Sequence, residues 1–291
     1  MKLKAKAIFY LLSASLALFG CARKSADTFS VDADVARILS SFDASSPVGN
    51  IVVFDSEQRA YSLASYLAEA DLFDNFTASA RPDVLPDFAG EKILAIYDNG
   101  NAPYSDFLGE DGAIEAATLN SVVACADSVA NAKIAILSSP VMAAYGAEYV
   151  DTVLAVTGSA LPVIFPLALA VRELGKASSI CVVADQEAAE AGIYEAMFGK
   201  DRVHIMQIDS TLAGGDIFID YDAILVDDYS IAPGAVRRGA IRVVDTRELA
   251  AREAYLLMRK NNIFTHAVSY PSKSALRTDF RGDYSLYDVQ D

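Results

Sequence analysis

The stretch "KIAILSSPVMAAYG", residues 133–146, decides the fold class of this chain. It begins as an apolar run typical of a buried strand, and Ser138 and Ser139 follow that run directly. Pro140 then stands in the first turn of a helix, a position that favours proline. A strand that leads straight into a helix is the unit of an α/β fold, and ligands usually bind at the carboxyl edge of such a sheet. The two serines are therefore candidate site residues.

The same alternation of strands and helices continues on both sides of this stretch. Because helices separate the strands, the pattern predicts parallel sheets with right-handed crossovers. The predicted strands are 50–55, 91–98, 133–137, 161–166, 178–185, 202–209, 221–228 and 241–245. The predicted helices are 57–73, 113–131, 140–150, 167–175, 186–199 and 246–261. The tail, residues 279–291, predicts no clear element.

The N-terminus reads as an export signal. Three lysines in "MKLKAK" precede the apolar run "AIFYLLSASLALFG", and Cys21 follows at once. The run is too short to predict a transmembrane helix. The segment "LFGC" resembles a bacterial lipobox, which implies cleavage before Cys21 and a lipid on its sulfur. The alternative is an ordinary signal peptide with an incidental cysteine.

The predicted organisation follows from this leader and from the length of the rest. About 270 residues remain, which suits two modest lobes. We expect a signal peptide at 1–20, a lipidated tether at 21–48 that contains a short helix, a first lobe at 49–165 plus 245–291, and a second at 166–244. The expected location is the bacterial cell envelope, with the protein lipid-anchored and facing the periplasm or the cell surface.

Charge and composition exclude several classes of partner. The chain has 39 acidic and 24 basic residues, a net charge of −15, which argues against nucleic acid and against lying flat on an anionic membrane. The sequence has no CxxC or HExxH motif and only two histidines, so no metal site is predicted. Cys125 and Cys181 read as buried small hydrophobes, with a disulfide left open.

The polar residues at the strand ends are the most informative feature. Any single one is best explained as a helix N-cap, but the set at adjacent strand ends favours a small polar ligand in a cleft. It contains no Lys or Arg and no glycine-rich phosphate loop, so a nucleotide is not expected. The candidate ligand-binding residues are Asp55, Ser56, Pro103, Tyr104, Ser105, Ser139, Asp185, Asp209 and Asp227.

Eight segments resemble, in order and rough spacing, the motifs of glutamate racemase. The resemblance implies two similar α/β lobes with mostly parallel sheets, a ligand cleft between them, and an activity that needs no cofactor. The segments are "IVVFDS", "YDNGNAPYSD", "AILSSPVMA", "LPVIFPLALAVRELG", "VVADQEAAEAGIYEAMF", "VHIMQIDSTL", "YDAILVDDYS" and "VVDTRELAARE".

The departures from the family pattern fall on its chemistry. The first catalytic cysteine falls on Ser138, with Ser139 as the alternative, and the second on Asp228, with Asp227 as the alternative. Racemisation needs a base on one face of the α-carbon and an acid on the other, and cysteine serves because its pKa is near 8.5. A serine hydroxyl needs an activating base beside it. The sequence therefore predicts that two-cysteine racemisation is lost.

Three functions follow as hypotheses. The first is a lipoprotein of racemase fold that binds a small amino or dicarboxylic acid, with no cofactor and with a homodimer allowed. The second is an active racemase or isomerase that uses Asp228 as base and Ser138 or Tyr104 as acid. The third is a two-lobed periplasmic solute receptor. A serine hydrolase is disfavoured, because Ser138 lacks the GxSxG elbow.

Overall fold

The chain folds into two parallel-stranded sheets, each flanked by helices. The computed structural model describes residues 31–206, 220–232, 234, 236, 241–265, 267 and 269–289. The strands are β1 (Asn50–Asp55), β2 (Lys92–Asp98), β3 (Ala132–Leu137), β4 (Val163–Ile164), β5 (Ile180–Val183), β6 (Val203–Met206), β7 (Ala223–Val226), β8 (Arg242–Asp245), β9 (Ser272–Thr278) and β10 (Tyr287–Asp288). The α-helices are α1 (Ala33–Ser40), α2 (Glu57–Glu69), α3 (Ala113–Ala126), α4 (Pro140–Tyr145), α5 (Ala147–Thr157), α6 (Pro166–Leu174), α7 (Gln186–Glu190), α8 (Ile193–Phe198) and α9 (Thr246–Asn261). Short 3₁₀ helices span Tyr104–Gly109 and Lys200–Arg202.

The first sheet has the strand order β10-β9-β2-β1-β3-β4, and the second has the order β6-β5-β7-β8. All pairs are parallel except β9 with β10. Parallel strands have both faces covered, which is why β1 and β3 read as unbroken apolar runs. The α/β fold class and the parallel sheets predicted from the sequence are confirmed.

The two lobes share one hydrophobic core. Val52 and Phe54 of β1 and Val182 and Leu225 of the second sheet belong to the same buried cluster. The alternate positions face the other way: Ile51 packs with α2 and α9 in a second cluster. This continuity sets the carboxyl ends of β1 and β3 opposite those of β5 and β7.

Two predicted helices are each broken at a glycine. Gly146 separates α4 from α5, and any side chain there would collide with Thr118, whose Oγ1 lies 2.0 Å from the position of a Cβ. Gly192 separates α7 from α8 and has φ +68°, a left-handed conformation that glycine adopts without strain. The helices predicted at 140–150 and 186–199 are therefore helix pairs.

The C-terminal segment adds two strands that the sequence analysis did not predict. β9 lies parallel beside β2, and β10 closes that edge of the sheet. Several β9 side chains are exposed, and the strand has no apolar run to mark it. Tyr287 and Asp288 thus form an element within the tail for which none was expected.

Residues 31–48 lie against the first lobe. Leu39 of α1, the short helix predicted in this segment, is buried in the shared core. Lys133 donates to the carbonyl oxygens of Pro47 and Ile263 and pairs with Glu91 at 2.5 Å, all at the amino edge of β3. Across the described part of the chain, every helix is too short or too polar to cross a bilayer.

Candidate functional site

Arg59 lies at the centre of the space between the two sheets. It is the third residue of α2, which begins directly after β1, so its side chain returns over the carboxyl end of that strand. The Nε atom pairs at 3.2 Å with Oδ2 of Asp55, the last residue of β1. Nη2 donates to the carbonyl oxygen of Ser138 at 2.8 Å. Arg59 is 6% exposed, so its charge must be balanced by protein groups.

The same guanidinium group reaches the second lobe. Nη1 donates to the carbonyl oxygen of Asp227 at 2.7 Å, and Nη2 lies 3.3 Å from Asp227 Oδ1. Asp185 Oδ2 lies 3.5 Å from Nη1. The ring of Tyr229 covers one face of the guanidinium at 3.9 Å, a cation–π contact. One side chain therefore connects the ends of β1, β3, β5 and β7.

The carboxylates around Arg59 have further hydrogen-bond partners. Thr246 donates its hydroxyl to Asp227 Oδ1 at 2.7 Å, and Tyr194 donates to Asp227 Oδ2 at 2.8 Å. The Tyr194 hydroxyl also accepts from the backbone N–H of Asp185 at 3.1 Å. Asp185 Oδ1 caps α7 by accepting from the N–H of Ala188. These bonds hold both aspartates in the positions that Arg59 needs.

The cluster holds more negative than positive charge. Three carboxylates surround one guanidinium. Burial raises the pKa of Asp55 to about 6, although Arg59 and the Ser138 hydroxyl oppose that rise. Burial also raises the pKa of Asp227, again against the pull of Arg59. Burial alone would lower the pKa of Arg59, but Asp227, Tyr229 and Asp55 outweigh it and the net pKa is raised. The guanidinium remains a cation at any physiological pH.

Ser138 and Ser139, the two serines that follow β3, have different hydrogen-bond partners. Ser138 donates its hydroxyl to Asp55 Oδ2 at 2.6 Å and is buried. Ser139 caps α4 by accepting from the N–H of Met142. Ser56 lies at the N-terminus of α2, and its N–H donates to Asp55 Oδ1 at 2.7 Å. Ser138 belongs to the Arg59 cluster, whereas Ser139 has the capping role expected of an isolated serine.

Asp227, rather than its neighbour Asp228, lies in the cluster. The Asp228 carboxylate accepts from the N–H of Ser230 at 2.8 Å and from its hydroxyl at 2.6 Å, within its own turn. Of the two positions matched to the family's second cysteine, the alternative one therefore faces Arg59. Asp209 and Cys21 lie outside the described residues.

The Tyr104 hydroxyl is hydrogen-bonded to a second buried carboxylate, that of Asp98. This hydroxyl donates to Asp98 Oδ2 at 3.0 Å, and Asn101 and Thr278 donate to the other oxygen. Burial raises the pKa of Asp98, and its three donors are neutral groups. This network ties the end of β9 to the loop after β2.

A groove of about 590 Å³ opens beside the cluster, where the loop after β2 meets α7. The N–H of Ser105 crosses the seam and donates to Glu187 Oε1 at 2.6 Å. Burial raises the pKa of Glu187. Glu190, on the same helix, accepts from Gln186 at 2.8 Å. The lining residues are Pro103, Ser105, Leu108, Gln186, Glu187, Glu190 and Ala191.

The remaining titratable candidates lie in the interior. Cys125 and Cys181 are free and buried, so the disulfide left open by the sequence does not form. Burial raises the pKa of both thiols, that of Cys181 to about 11, which keeps them protonated. Within the described ranges, no group of three or more His, Cys, Asp and Glu side chains is placed to hold a metal ion.

The fold is similar to that of several solved enzymes. Glutamate racemase from Francisella tularensis, in complex with D-glutamate, matches with TM-score 0.53 and 18% identity over 80% of this chain and 89% of that one. Glutamate racemase from Thermus thermophilus, in complex with beta-chloro-D-alanine, matches with TM-score 0.52 and 14% identity over 80% and 89%. The isoform RacE1 from Bacillus anthracis matches with TM-score 0.51 and 16% identity over 79% and 89%. This chain has the glutamate racemase fold. Neither a protein-family model nor a curated protein sequence matches it.

Arg59 contacts two of the residues that the sequence resemblance singles out. That resemblance matches the family's first catalytic cysteine to Ser138 and its second to Asp228, with Asp227 as the alternative. Arg59 contacts the Ser138 carbonyl and the carbonyl and carboxylate of Asp227. The guanidinium group therefore lies between Ser138 and Asp227.

Sequence reasoning brought together four of the cluster residues, Asp55, Ser138, Asp185 and Asp227, and missed the one that joins them. Arg59 lies four residues beyond the end of the first predicted strand, so it is not among the polar residues that directly follow the strands. The available signal was a lone cation in the first turn of the predicted helix 57–73, next to the acidic end of that strand.

Removing the Arg59 charge should destabilise the fold. Arg59→Met keeps an apolar stem and leaves three carboxylates without their cation, so we expect the free energy of unfolding to fall by about 3–5 kcal/mol at pH 7. Urea unfolding followed by circular dichroism measures this. Arg242→Met breaks the exposed pair with Glu173 and should cost about 0–1 kcal/mol. Equal losses in the two variants would contradict a central role for Arg59.

The raised pKa of Asp55 predicts a pH dependence. The folded protein binds this proton at a pH of about 6, whereas the ordinary value is 3.8, so the contribution of Asp55 to stability is complete below about pH 4 and is lost as pH rises through 6. Asp55→Asn should flatten that slope by up to about 1.4 kcal/mol per pH unit. Urea unfolding at a series of pH values tests it, with Asp34→Asn as an exposed control. Identical slopes in wild type and Asp55→Asn would refute the assignment.

Proposed function

We propose that this protein is an exported, lipid-anchored protein of glutamate racemase fold that does not racemise amino acids and binds a small amine-bearing molecule in the groove beside its cleft. The observation that carries the proposal is the place of Arg59. The export signal and the cysteine that follows it support the cellular location.

The hydrogen bonds of Ser138 and Asp227 and the position of the Arg59 guanidinium support the loss of racemisation. A proton exchange at an α-carbon needs an acid and a base on opposite faces, with the substrate between them. The Ser138 hydroxyl donates its hydrogen bond to Asp55, and Asp227 is held by Thr246, Tyr194 and Arg59. The guanidinium fills the space between the two positions. The alternative of an active isomerase with Asp228 as base is disfavoured, because the Asp228 carboxylate binds its own turn.

The charge of the groove favours an amine. Glu187 and Glu190 line it, and the net negative Arg59 cluster lies behind it. Carboxylates attract an ammonium group and repel a second carboxylate, so an amino group is favoured over a dicarboxylic acid. Pro103, Leu108 and Ala191 supply apolar contact for a short aliphatic portion. Of the two ligand classes expected from the sequence, this selects the amino acid.

Isotope exchange tests the proposal that the protein does not racemise amino acids. The soluble fragment that begins after Cys21 would be incubated in D2O with L- and D-glutamate and with L- and D-aspartate, and proton NMR would follow the α-proton. We expect no loss of that signal at high protein concentration, while a bona fide glutamate racemase exchanges it fully. Loss of the α-proton with inversion would refute the proposal.

Isothermal titration calorimetry of the same soluble fragment tests the proposal that the groove binds an amine. We expect L-lysine to bind more tightly than L-alanine, and L-glutamate to bind least. Glu187→Gln keeps the acceptor for Ser105 but removes the charge, and should weaken L-lysine binding about tenfold, a 1.4 kcal/mol loss. Glu173→Gln, an exposed glutamate of α6, is the matched control. Tightest binding of L-glutamate, or no effect of Glu187→Gln, would contradict an amine site.

A further inference from the structure

The segment between α2 and β2 is a closed surface loop. Residues 71–86 leave the end of α2 and return to it, and the N–H of Asp87 donates to the carbonyl oxygen of Ala70 at 2.7 Å. A loop of this length with its ends joined is an Ω-loop, a type that is frequently functional. It begins beyond Glu69, the end of α2, which lies about 15 Å along the helix from Arg59. Its role is therefore independent of the inter-lobe groove.

Aspartate side chains fix the backbone of this loop. Asp71 accepts from the N–H groups of Asp83 and Val84, both at 2.9 Å. Asp83 in turn accepts from the N–H of Asn75 at 2.8 Å. Asp74 accepts from Thr77 at 2.7 Å. These bonds cross the loop and bind its two arms together, so its conformation is set before any partner arrives.

The fixed loop presents apolar side chains to solvent. Phe76 is 92% exposed, Val84 is 91% exposed and Leu85 is 59% exposed. The two chain segments that carry them are adjacent, because Asn75 donates its side-chain amide to the carbonyl oxygen of Leu85 and its backbone N–H to the Asp83 carboxylate. Val84 has φ +77°, an uncommon and strained conformation for a β-branched residue. Strain of this kind clusters at ligand clamps and switch regions.

We propose that the tip of this loop, residues Phe76, Val84 and Leu85, docks into an apolar pocket of a partner protein whose rim carries basic side chains. Charge decides the kind of partner. Residues 71–86 contain Asp71, Asp74 and Asp83 and one cation, Arg81, which pairs with Asp74 at 3.1 Å, and the net charge of the chain is −15. An anionic lipid surface and a second copy of this acidic chain would both be repelled. An apolar pocket complements the exposed apolar side chains of the tip, and a basic rim complements the negative charge of the loop.

Photo-crosslinking in cells that express the full chain natively tests this surface. A benzophenone amino acid would replace Phe76 in one strain and Tyr270, which is 83% exposed, in another. We expect a discrete protein adduct at position 76 that is absent at position 270. Adducts only with lipid, only with a second copy of the chain, equally at both positions, or at neither, would each overturn the proposal.

The crosslinked protein would then be identified by mass spectrometry, purified and titrated with the soluble fragment. Phe76→Ser combined with Val84→Ser should weaken binding at least about tenfold, as loss of a buried apolar anchor does. Raising the salt from about 0.05 M to about 0.5 M NaCl should also weaken it, because salt screens the rim charges. Unchanged affinity in the variant or in salt would overturn the assignment. Thermal unfolding of the variant at the wild-type temperature excludes a folding defect as the cause.

Discussion

The guanidinium group of Arg59 is the interaction on which the inter-lobe seam depends. Its Nε and both terminal nitrogens are used, by Asp55, by the Ser138 carbonyl and by Asp227, and its face is covered by Tyr229. Buried charges are tolerated only where paired groups and hydrogen bonds replace water. Each lobe supplies part of that replacement, so neither lobe alone can bury Arg59. The ion cluster and the continuous hydrophobic core therefore fix the same arrangement of the two lobes.

The fold retains the frame of a racemase with different groups at its centre. At the centre, the Ser138 hydroxyl donates to Asp55, and the carboxylates of Asp55 and Asp227 pair with Arg59. A fold does not determine its activity, which depends on the groups that line its site. Here the charged residues between the two sheets pair with one another across the lobes. The proposed recognition sites lie at the groove and at the Ω-loop, away from the centre.

Much of the fold could be predicted from the sequence because buried parallel strands leave a plain pattern. The apolar runs that became β1, β3 and β5 each end in a polar residue, and that is why Asp55, Ser138 and Asp185 could be grouped. β9 could not be found in this way, since its exposed polar side chains obey no period. Its place is set by pairing with β2 and by the bond from Thr278 to Asp98.

The site was harder to predict for a related reason. A strand-end search finds side chains by their place in the sheet, but Arg59 enters the cleft from a helix. Strand geometry allows only one of the neighbours Asp227 and Asp228 to face the cleft, but it does not say which one. Tyr104 was grouped with the ligand residues by its motif, whereas its hydroxyl is bound by Asp98. Hydrogen bonds between side chains from different elements depend on tertiary packing, so they cannot be predicted from a single sequence.

Chemical rescue of Arg59→Ala is the most direct test of the central claim that the Arg59 guanidinium closes the cleft. Small-angle X-ray scattering of the soluble fragment would compare the wild type with the variant, before and after addition of millimolar guanidinium. The account predicts a larger radius of gyration for the variant, because the lobes separate, and a return to the wild-type value when guanidinium fills the vacated position. Methylammonium at the same concentration should restore much less, since it lacks the planar fork. A variant that scatters like the wild type without any added cation would contradict the account.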